Sequence, residues 1–181
     1  MSNYRRSNSK GGTYFFTVVS FKRRPIFTDD AMIHAMRDAV HLVKQQLPFI
    51  VDAWVTLPDH IHTMWTLPPN DGDYGKRWGL IKRQVSRACE AYWAPIDMLS
   101  LSNIKRDEKG IFQRRFWAHD IMDDEDFSKH MDYIHFNPVG HGLVKRAVDW
   151  KYSTFHKYCK SGLYTIDWSS EFKDGDFGES I

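Results

Sequence analysis

The sequence predicts an α+β fold with the ferredoxin-like order β-α-β-β-α-β, followed by one further helix. Three features of the chain support this order. Four short runs are rich in β-branched and aromatic residues, segments with apolar residues at helical spacing separate them, and a Pro-Asp turn joins the second run to the third. The order predicts an antiparallel sheet with two helices on one face. At 181 residues the chain is long enough to bury a substantial core.

The first predicted strand spans Tyr14 to Phe21, a β-branched and aromatic run that is typical of a strand buried on both faces. A helix follows, with Thr28 as the predicted N-cap and an end near Val43. The apolar residues of this segment recur at helical spacing and are Met32, Ile33, Met36, Val40 and Val43. We therefore expect this helix to pack one apolar face on the sheet.

The second and third predicted strands, Phe49 to Thr56 and Ile61 to Thr66, are separated by a Pro-Asp turn and form a hairpin. Between Tyr74 and about Trp93 the apolar residues again recur at helical spacing, and basic residues lie on the other side. This pattern predicts an amphipathic helix with a basic face. Pro95 is predicted to end it.

A fourth strand is predicted over Ile111 to Trp117, and the further helix from about Asp124 to Asn137. The acidic start of that helix is favourable next to the helix dipole, and Pro138 is predicted to stop it. Residues 146–181 are rich in aromatic side chains. We divide the chain into a basic N-terminal arm over residues 1–12, a folded domain over residues 13–145 and this C-terminal extension.

Composition excludes several classes of protein. Two cysteines rule out a disulfide scaffold and suit a reducing cytoplasm. The first twelve residues carry charges but lack the apolar segment of a secretory signal, and no apolar run approaches the roughly 20 residues of a membrane span. We expect a cytoplasmic protein without membrane association.

The formal net charge of +2 conceals a segregation of sign along the chain. Residues 1–28 carry six basic residues and no acid, and residues 75–92 carry five basic residues against one acid. The acids are concentrated at the start of the helix near Asp124 and in the tail after Gly162. Two interpretations stay open: the charge runs are solvated faces, or the basic segments bind a polyanion.

A pair of histidines stands at the start of the third predicted strand. Because side chains alternate along a strand, His60 and His62 lie on one face while Ile61 lies on the other. Two imidazoles about 6–7 Å apart at the backbone can converge on one divalent cation and leave positions for water and substrate oxygens. The pair is therefore a candidate metal site, and a structural role is the alternative.

The late helix supplies a candidate nucleophile. Tyr133 and Asn137 are four residues apart and share a helix face, separate from the apolar stripe. The alternative is structural: a tyrosine that packs its ring, and an asparagine that caps the helix end. Placed opposite the histidine pair, the same face gives a definite chemistry. A metal-bound phosphodiester is neutralised and oriented, so a tyrosine hydroxyl can attack it and keep the bond energy in a phosphotyrosine ester for rejoining.

The chain resembles the REP-associated tyrosine transposases, bacterial relatives of the insertion-sequence-200/605 transposases in the single-tyrosine HUH class, where HUH means His-hydrophobic-His. The resemblance runs from Gly11 to about Trp168. Five motifs in the same order carry it: Gly11-Gly12-Thr13-Tyr14-Phe15-Phe16-Thr17-Val18, Leu57-Pro58-Asp59-His60-Ile61-His62, Tyr133-Ile134-His135-Phe136-Asn137-Pro138-Val139, His141-Gly142-Leu143-Val144 and Trp150-Lys151-Tyr152-Ser153.

The resemblance implies that residues 13–145 are an HUH transposase domain in which His60 and His62 bind metal and Tyr133 is the nucleophile. It implies a third metal ligand at Asn137, whose stem is one methylene shorter than the Gln of many mobile-element relatives. It also implies Mg²⁺ or Mn²⁺, a 5′-phosphotyrosine intermediate with a free 3′-hydroxyl, and binding of single-stranded DNA hairpins from repetitive extragenic palindromes. Such a protein would be associated with the nucleoid.

Under this hypothesis the basic segments contact the DNA backbone. The candidate DNA-binding residues are Arg5, Arg6, Lys22, Arg23, Arg24, Lys76, Arg83, Arg87, Arg114 and Arg115. Exposed aromatic residues of the extension could hold unpaired bases, although packing against the sheet is favoured for most of them. Two other functions stay open, a hairpin-binding protein that does not cut and a metal-dependent nuclease that uses water. The oligomeric state, monomer or homodimer, is also left open.

Overall fold

The computed structural model describes residues 11–169. Within that range the chain forms a four-stranded sheet and five α-helices. The strands are β1 Gly12–Val19, β2 Ile50–Thr56, β3 His60–Leu67 and β4 Trp117–Asp120, and the helices are α1 Asp30–Gln46, α2 Tyr74–Ala88, α3 Leu101–Lys105, α4 Asp124–Gly140 and α5 Phe155–Lys160.

The sheet has the order β2-β3-β1-β4, and every neighbouring pair is antiparallel. This confirms the predicted α+β class and the ferredoxin-like arrangement. Side chains alternate across β1, so Tyr14 and Phe16 join the core with α1 and α2, whereas Phe15 packs against α4 on the other side. The sheet therefore has two helices on one face and the further helix on the opposite face.

The α1/α2 layer is an aromatic core. Trp65 of β3 stacks on Trp78 of α2 with ring centroids 4.5 Å apart, and Phe16 lies 5.0 Å from Trp65. All three side chains are fully buried. Large aromatic rings contribute most of the apolar area in such a core, so this layer holds the sheet rigid beneath the opposite face.

A buried arginine joins α2 to the α1–β2 connection. The guanidinium of Arg77 is 1% exposed and donates to the carbonyls of Leu47 and Pro48 and to the carboxylate of Asp71, with Nη2–Oδ2 at 2.6 Å. We expect Arg77→Met to lower the free energy of unfolding by about 2–4 kcal/mol, because it leaves buried carbonyls without donors.

Urea denaturation followed by far-UV circular dichroism measures that loss. Lys76→Met, at the exposed neighbouring position, is the matched control and should change stability by less than about 0.5 kcal/mol. Equal stability of the two variants would show that the Arg77 network contributes nothing.

Helix ends differ from the sequence predictions. The N-cap of α1 is Asp29 rather than Thr28, because the Asp29 carboxylate accepts from the amide of Ala31 at 3.0 Å. Helix α2 ends at Ala88 instead of near Trp93, and its last stretch is replaced by a short 3-10 turn over Glu90–Tyr92. Apolar spacing continues through that turn, so periodicity alone could not locate the end.

The sequence predicted that Pro138 stops the helix. Instead, α4 continues through Pro138 to Gly140. A proline this close to a helix end removes only one amide donor. The residues that follow pair the last carbonyls of the helix, since the amide of His141 donates to the carbonyl of Asn137 and the amide of Leu143 to that of Pro138, both at 2.9 Å. The extra turn brings His141 to the C-cap of α4.

The fourth strand was also misplaced: pairing with β1 runs over Trp117–Asp120 instead of Ile111–Trp117. Ile111 is buried without strand pairing, and Phe112 makes a single bridge to Ser20. A short apolar run that is buried in a connection has the same composition as a strand, so sequence could not separate them.

The C-terminal extension covers the free side of β2. The amide of Thr56 donates to the carbonyl of Tyr152, and the amide of Thr154 donates to that of Trp54, each at 2.9 Å. Beyond this, Phe155 and Tyr164 are buried in a small aromatic cluster beside α4. Packing therefore accounts for these aromatics, as predicted for most of them. Among residues 11–169, no helix is both long and apolar enough to span a membrane.

Candidate active site

His60 and His62 lie side by side on the face of β3 that α4 covers. Their ring centroids are 4.8 Å apart, and both residues are buried. Ile61 between them joins the α1/α2 core on the other face. The alternation of β3 therefore presents both imidazoles to α4, as the sequence predicted.

Each imidazole is held through its Nδ1 atom. Nδ1 of His60 lies 2.6 Å from Oδ1 of Asp59, and Nδ1 of His62 lies 3.0 Å from Oγ1 of Thr17 on β1. The hydrogen bond with His60 lowers the pKa of Asp59 to about 2, so this group is a carboxylate at neutral pH. The Asp59 carboxylate can only accept, so it holds the proton of His60 on Nδ1 and leaves Nε2 as the lone-pair nitrogen, which is the form that binds a metal ion. The Thr17 hydroxyl can donate or accept, so it holds the His62 ring in position.

Three residues of α4, spaced four apart, lie opposite the histidine pair. The ring of Tyr133 is 5.2 Å from that of His62, and the ring of His141 is 5.2 Å from that of His60. Asn137 lies between them on the same helix face and is 6% exposed. Its Oδ1 is buried and accepts no hydrogen bond from residues 11–169. A buried amide oxygen on the helix face that Tyr133 shares, together with the two imidazoles, fits the N- and O-ligand set of a divalent cation.

Packing fixes the height of α4 above the sheet. Met131 and Ile134 of α4 pack on Met64 of β3, and Phe15 of β1 contacts the rings of both His62 and Tyr133, at 5.5 and 6.0 Å. At the start of α4, the Asp123 side chain caps the helix by accepting from the amide of Asp126. Tyr133 is thereby held by rigid elements on both sides.

A strained loop borders the site. Lys22 and Arg23 follow β1 and adopt left-handed conformations, with φ of 53° and 52°. Such conformations cost about 1–3 kcal/mol for residues with a Cβ. The loop is held by Asp59, whose carbonyl accepts from the amide of Ser20 at 2.8 Å and whose carboxylate binds Nη1 of Arg23 at 3.1 Å. Arg23 thus orients the carboxylate that orients His60.

A basic groove lies along α2. It has a volume of about 390 Å³, and its lining includes Lys82, Arg83, Arg87 and Arg114 together with Trp93. Arg83, Arg87 and Arg114 are exposed. Lys82 is different: burial lowers its pKa to about 7, and its Nζ donates to the carbonyl of Gln113 at 2.8 Å. The lining also contains Arg106 and Lys109 and the acids Asp107 and Glu108, so the groove is basic on balance. Glu108 lies 3.9 Å from Nε of Arg114, which leaves Arg83 and Arg87 as its exposed arginines on α2.

Backbone hydrogen bonds connect the groove to the histidine pair. Gln113, at the groove, donates its amide to the carbonyl of Val19 at the end of β1, and the next residue, Ser20, donates to Asp59. The groove and the site therefore share one end of the sheet, with the loop of Lys22 and Arg23 between them. A strand of nucleic acid could contact all three without crossing the sheet.

The other candidate DNA-binding residues are placed as follows. Lys22, Arg23 and Lys76 are exposed, and Arg24 is half-buried, with Nη1 donating to the carbonyls of Tyr92 and Gly110. The predicted fourth strand, Ile111 to Trp117, included Arg114 and Arg115. That placement was wrong, because both precede β4 and both are exposed. Arg5 and Arg6 lie outside the described residues.

Sequence reasoning gave no role to three residues that border the site: Asp59, Thr17 and His141. Asp59 immediately precedes the histidine pair, so its proximity had a local signal. His141 is eight residues after Tyr133, which places it on the same helix face, but the predicted end at Pro138 concealed this. Thr17 is 45 residues from His62, and only strand pairing brings the two together.

Comparison with known proteins identifies the family. Over its full length the chain is 42% identical to the REP-associated tyrosine transposase of Escherichia coli K12, across 182 positions that span 99% of that protein. This chain belongs to the REP-associated tyrosine transposases. A Haemophilus influenzae protein given the same family name is 42% identical over 172 residues, covering 93% of each chain. A scan against protein-family models gave no match.

The fold agrees with this membership. A solved structure of a REP-associated tyrosine transposase bound to a REP hairpin superposes with a TM-score of 0.84 at 42% identity, covering 100% of this chain and 99% of that one. The resemblance found in the sequence motifs is thus confirmed over the whole chain. As a member of a transposase family, this REP-associated tyrosine transposase is a DNA-processing protein.

Proposed function

We propose that this chain binds a single-stranded DNA hairpin and cleaves and rejoins the strand beside it, with Tyr133 as the nucleophile. The arrangement of α4 over β3 carries the proposal, because the Tyr133 ring lies against that of His62, and Asn137, one turn further along the same helix face, has a buried oxygen that accepts no hydrogen bond from residues 11–169. Relatives support the substrate: the solved family structure holds a REP hairpin.

His60, His62 and Asn137 would hold Mg²⁺ or Mn²⁺. When bound, this ion supplies charge neutralisation and orientation of the scissile phosphate. Asp59 keeps the His60 imidazole in the metal-binding tautomer, and Thr17 holds the His62 ring in position. Phe15 supports the Tyr133 ring from the sheet side, so that the hydroxyl is held at a defined position.

In the reaction, Oη of Tyr133 loses its proton and forms a bond to phosphorus, while the bond from phosphorus to the 3′-oxygen of the neighbouring nucleotide breaks. The 3′-oxygen takes up a proton, which gives a free 3′-hydroxyl and a 5′-phosphotyrosine ester. Attack of a 3′-hydroxyl on this ester reverses the step and joins strands. Since the ester retains the energy of the broken bond, rejoining needs no nucleotide cofactor.

The test is incubation of the full chain with a hairpin oligonucleotide carrying unpaired flanks, with Mn²⁺ or with EDTA. We expect cleavage only with Mn²⁺ and a mass increase on the peptide that contains Tyr133. The increase should equal the DNA fragment on the 3′ side of the cut, whose 5′-phosphate is joined to the tyrosine. Cleavage without this adduct would assign the reaction to water attack. Binding without cleavage or adduct would make the chain a hairpin-binding protein that does not cut.

The basic groove makes a separate prediction about affinity. We expect the double variant Arg83→Gln/Arg87→Gln to bind the hairpin about 10–100-fold more weakly at roughly 0.1 M salt, because two phosphate contacts are lost. The slope of log affinity against log salt should fall by about 2. Fluorescence anisotropy over a salt series measures both quantities.

Arg37→Gln, an exposed arginine on α1, is the matched control and should leave affinity and salt slope unchanged. If the groove variant and this control bind alike, the hairpin does not contact the groove.

A further inference from the structure

A second group of potential metal ligands lies one helical turn before Tyr133. It consists of His119 on β4 with Asp126 and His130 on α4, and one ligand atom from each lies within 4.8 Å of the other two. Nε2 of His119 is 3.0 Å from Oδ2 of Asp126, and Nδ1 of His130 is 2.9 Å from Oδ1 of the same carboxylate. We call these three residues the His-Asp-His cluster.

The two imidazoles approach the carboxylate from the same side. Their rings are stacked, with centroids 4.9 Å apart and planes 16° from parallel, so a nitrogen of each faces Asp126. Four-coordinate zinc has Zn–N and Zn–O bonds of about 2.0–2.2 Å, which separates neighbouring ligand atoms by about 3.4 Å. The two nitrogen–oxygen separations, 3.0 and 2.9 Å, lie within about 0.5 Å of this value.

The cluster is separate from the histidine pair on β3. The ring of Phe15 lies between them, 4.8 Å from the ring of His130 and 5.5 Å from that of His62. Neither Asp126 nor His119 has a role in the proposed strand transfer. Their hydrogen bonds connect β4 to the first turn of α4, and Asp126 also accepts from the amide of Met122 at 3.0 Å.

We propose that the His-Asp-His cluster is a binding site for Zn²⁺ or a similar transition-metal ion. Two nitrogen ligands and one carboxylate form a set that zinc accepts, and a fourth position remains for water. His130 is buried, whereas the His119 side chain is 36% exposed, so the ion can enter past His119. Bound there, it cross-links β4 to the helix that carries Tyr133 and stabilises the fold.

The competing explanation is a hydrogen-bonded triad that binds no ion. Nδ1 of His130 lies 2.9 Å from the carbonyl of Asp126 as well, and a proton on Nδ1 satisfies both oxygens. Zinc binding requires that proton to move to Nε2, which neutral imidazole allows without net proton release. A variant that keeps a hydrogen bond to Asp126 but provides no imidazole separates the two explanations.

The test compares the untagged full chain with His119→Gln, whose amide can still donate to Asp126. Native mass spectrometry and equilibrium dialysis count the Zn²⁺ ions bound per chain. We expect His119→Gln to bind one ion fewer than the unmodified chain, while His34→Gln, an exposed histidine on α1, binds the same number. Saturating Zn²⁺ should raise Tm by about 5 °C or more in the unmodified chain and less in His119→Gln.

Cobalt gives a second measurement. Co²⁺ at this cluster should show the intense visible absorption of a four-coordinate ion, and His119→Gln and Asp126→Asn should lose that band. A Tm in EDTA close to that of the unmodified chain shows that each variant is folded. An equal number of bound Zn²⁺ ions in the unmodified chain and in His119→Gln overturns the proposal. Neither measurement depends on DNA cleavage, so the zinc proposal and the proposed function can each be refuted without the other.

Discussion

Tyr133→Phe is expected to abolish hairpin cleavage while leaving hairpin affinity within about twofold. The substitution removes only the hydroxyl oxygen that would form the bond to phosphorus, and removal of a nucleophile typically lowers a rate by about 10⁴-fold or more. The phenyl ring keeps its contacts with His62 and Phe15, at centroid distances of 5.2 and 6.0 Å, so the helix should not move.

Labelled single-stranded hairpins with Mn²⁺ provide the rate, and anisotropy on the same oligonucleotide provides the affinity. Tyr152→Phe is the matched control, because it removes a hydroxyl that donates to the carbonyl of Thr28, away from the site. If Tyr133→Phe cleaves the hairpin as fast as the unmodified chain does, Tyr133 is not the nucleophile. Loss of binding in the same variant would instead assign Tyr133 to DNA recognition.

Much of the fold and of the candidate site could be predicted because local patterns determine them. A strand period of two sufficed to place His60 and His62 on one face, and helical spacing of four sufficed for Tyr133 and Asn137. Tertiary packing determines which face of the sheet α4 covers. Met131 and Ile134 of α4 provide the apolar contacts with that face. Periodicity did not show that the two pairs are neighbours in the fold; the chemistry of a metal-bound phosphodiester suggested it, and the motif resemblance supported it.

Other features depend on contacts distant in sequence and had no local signal. Ile111 is buried in a connection, and the apolar run that it begins has the composition of a strand. Thr17 holds His62 only through the β1–β3 pairing, and Arg24 donates to carbonyls 68 and 86 residues away. The His-Asp-His cluster combines β4 with α4 in the same way. Misplacing β4 by several residues hid that His119 faces α4.

The two faces of the sheet bury different kinds of side chain. The α1/α2 face is a dry aromatic core around Trp65 and Trp78. The α4 face instead buries His60, His62 and Asn137, polar groups that cost free energy unless they are hydrogen-bonded or bound to a ligand. Nδ1 of each histidine has a hydrogen-bond partner, in Asp59 and Thr17. A polar set on this face is what the proposed metal site requires.

Replacement of either histidine should remove the metal-dependent reaction. We expect His60→Ala and His62→Ala each to lower the cleavage rate by about 10³-fold or more, without recovery at high Mg²⁺, because two ligands cannot orient the ion and the phosphate. Mn²⁺ binding, followed by the electron paramagnetic resonance signal of the free ion, should weaken in parallel. His34→Ala on the exposed side of α1 is the control and should change neither quantity.

Both histidines are buried, so truncation to Ala can also destabilise the fold. Asp59→Asn avoids this difficulty, because it leaves both imidazoles in place and changes only the carboxylate that holds Nδ1 of His60 and the exposed Arg23. We expect it to weaken Mn²⁺ binding about 10–100-fold and to retain cleavage at saturating Mn²⁺. Full activity of both Ala variants, at Mn²⁺ concentrations near the dissociation constant of the unmodified chain, would show that the histidine pair is structural.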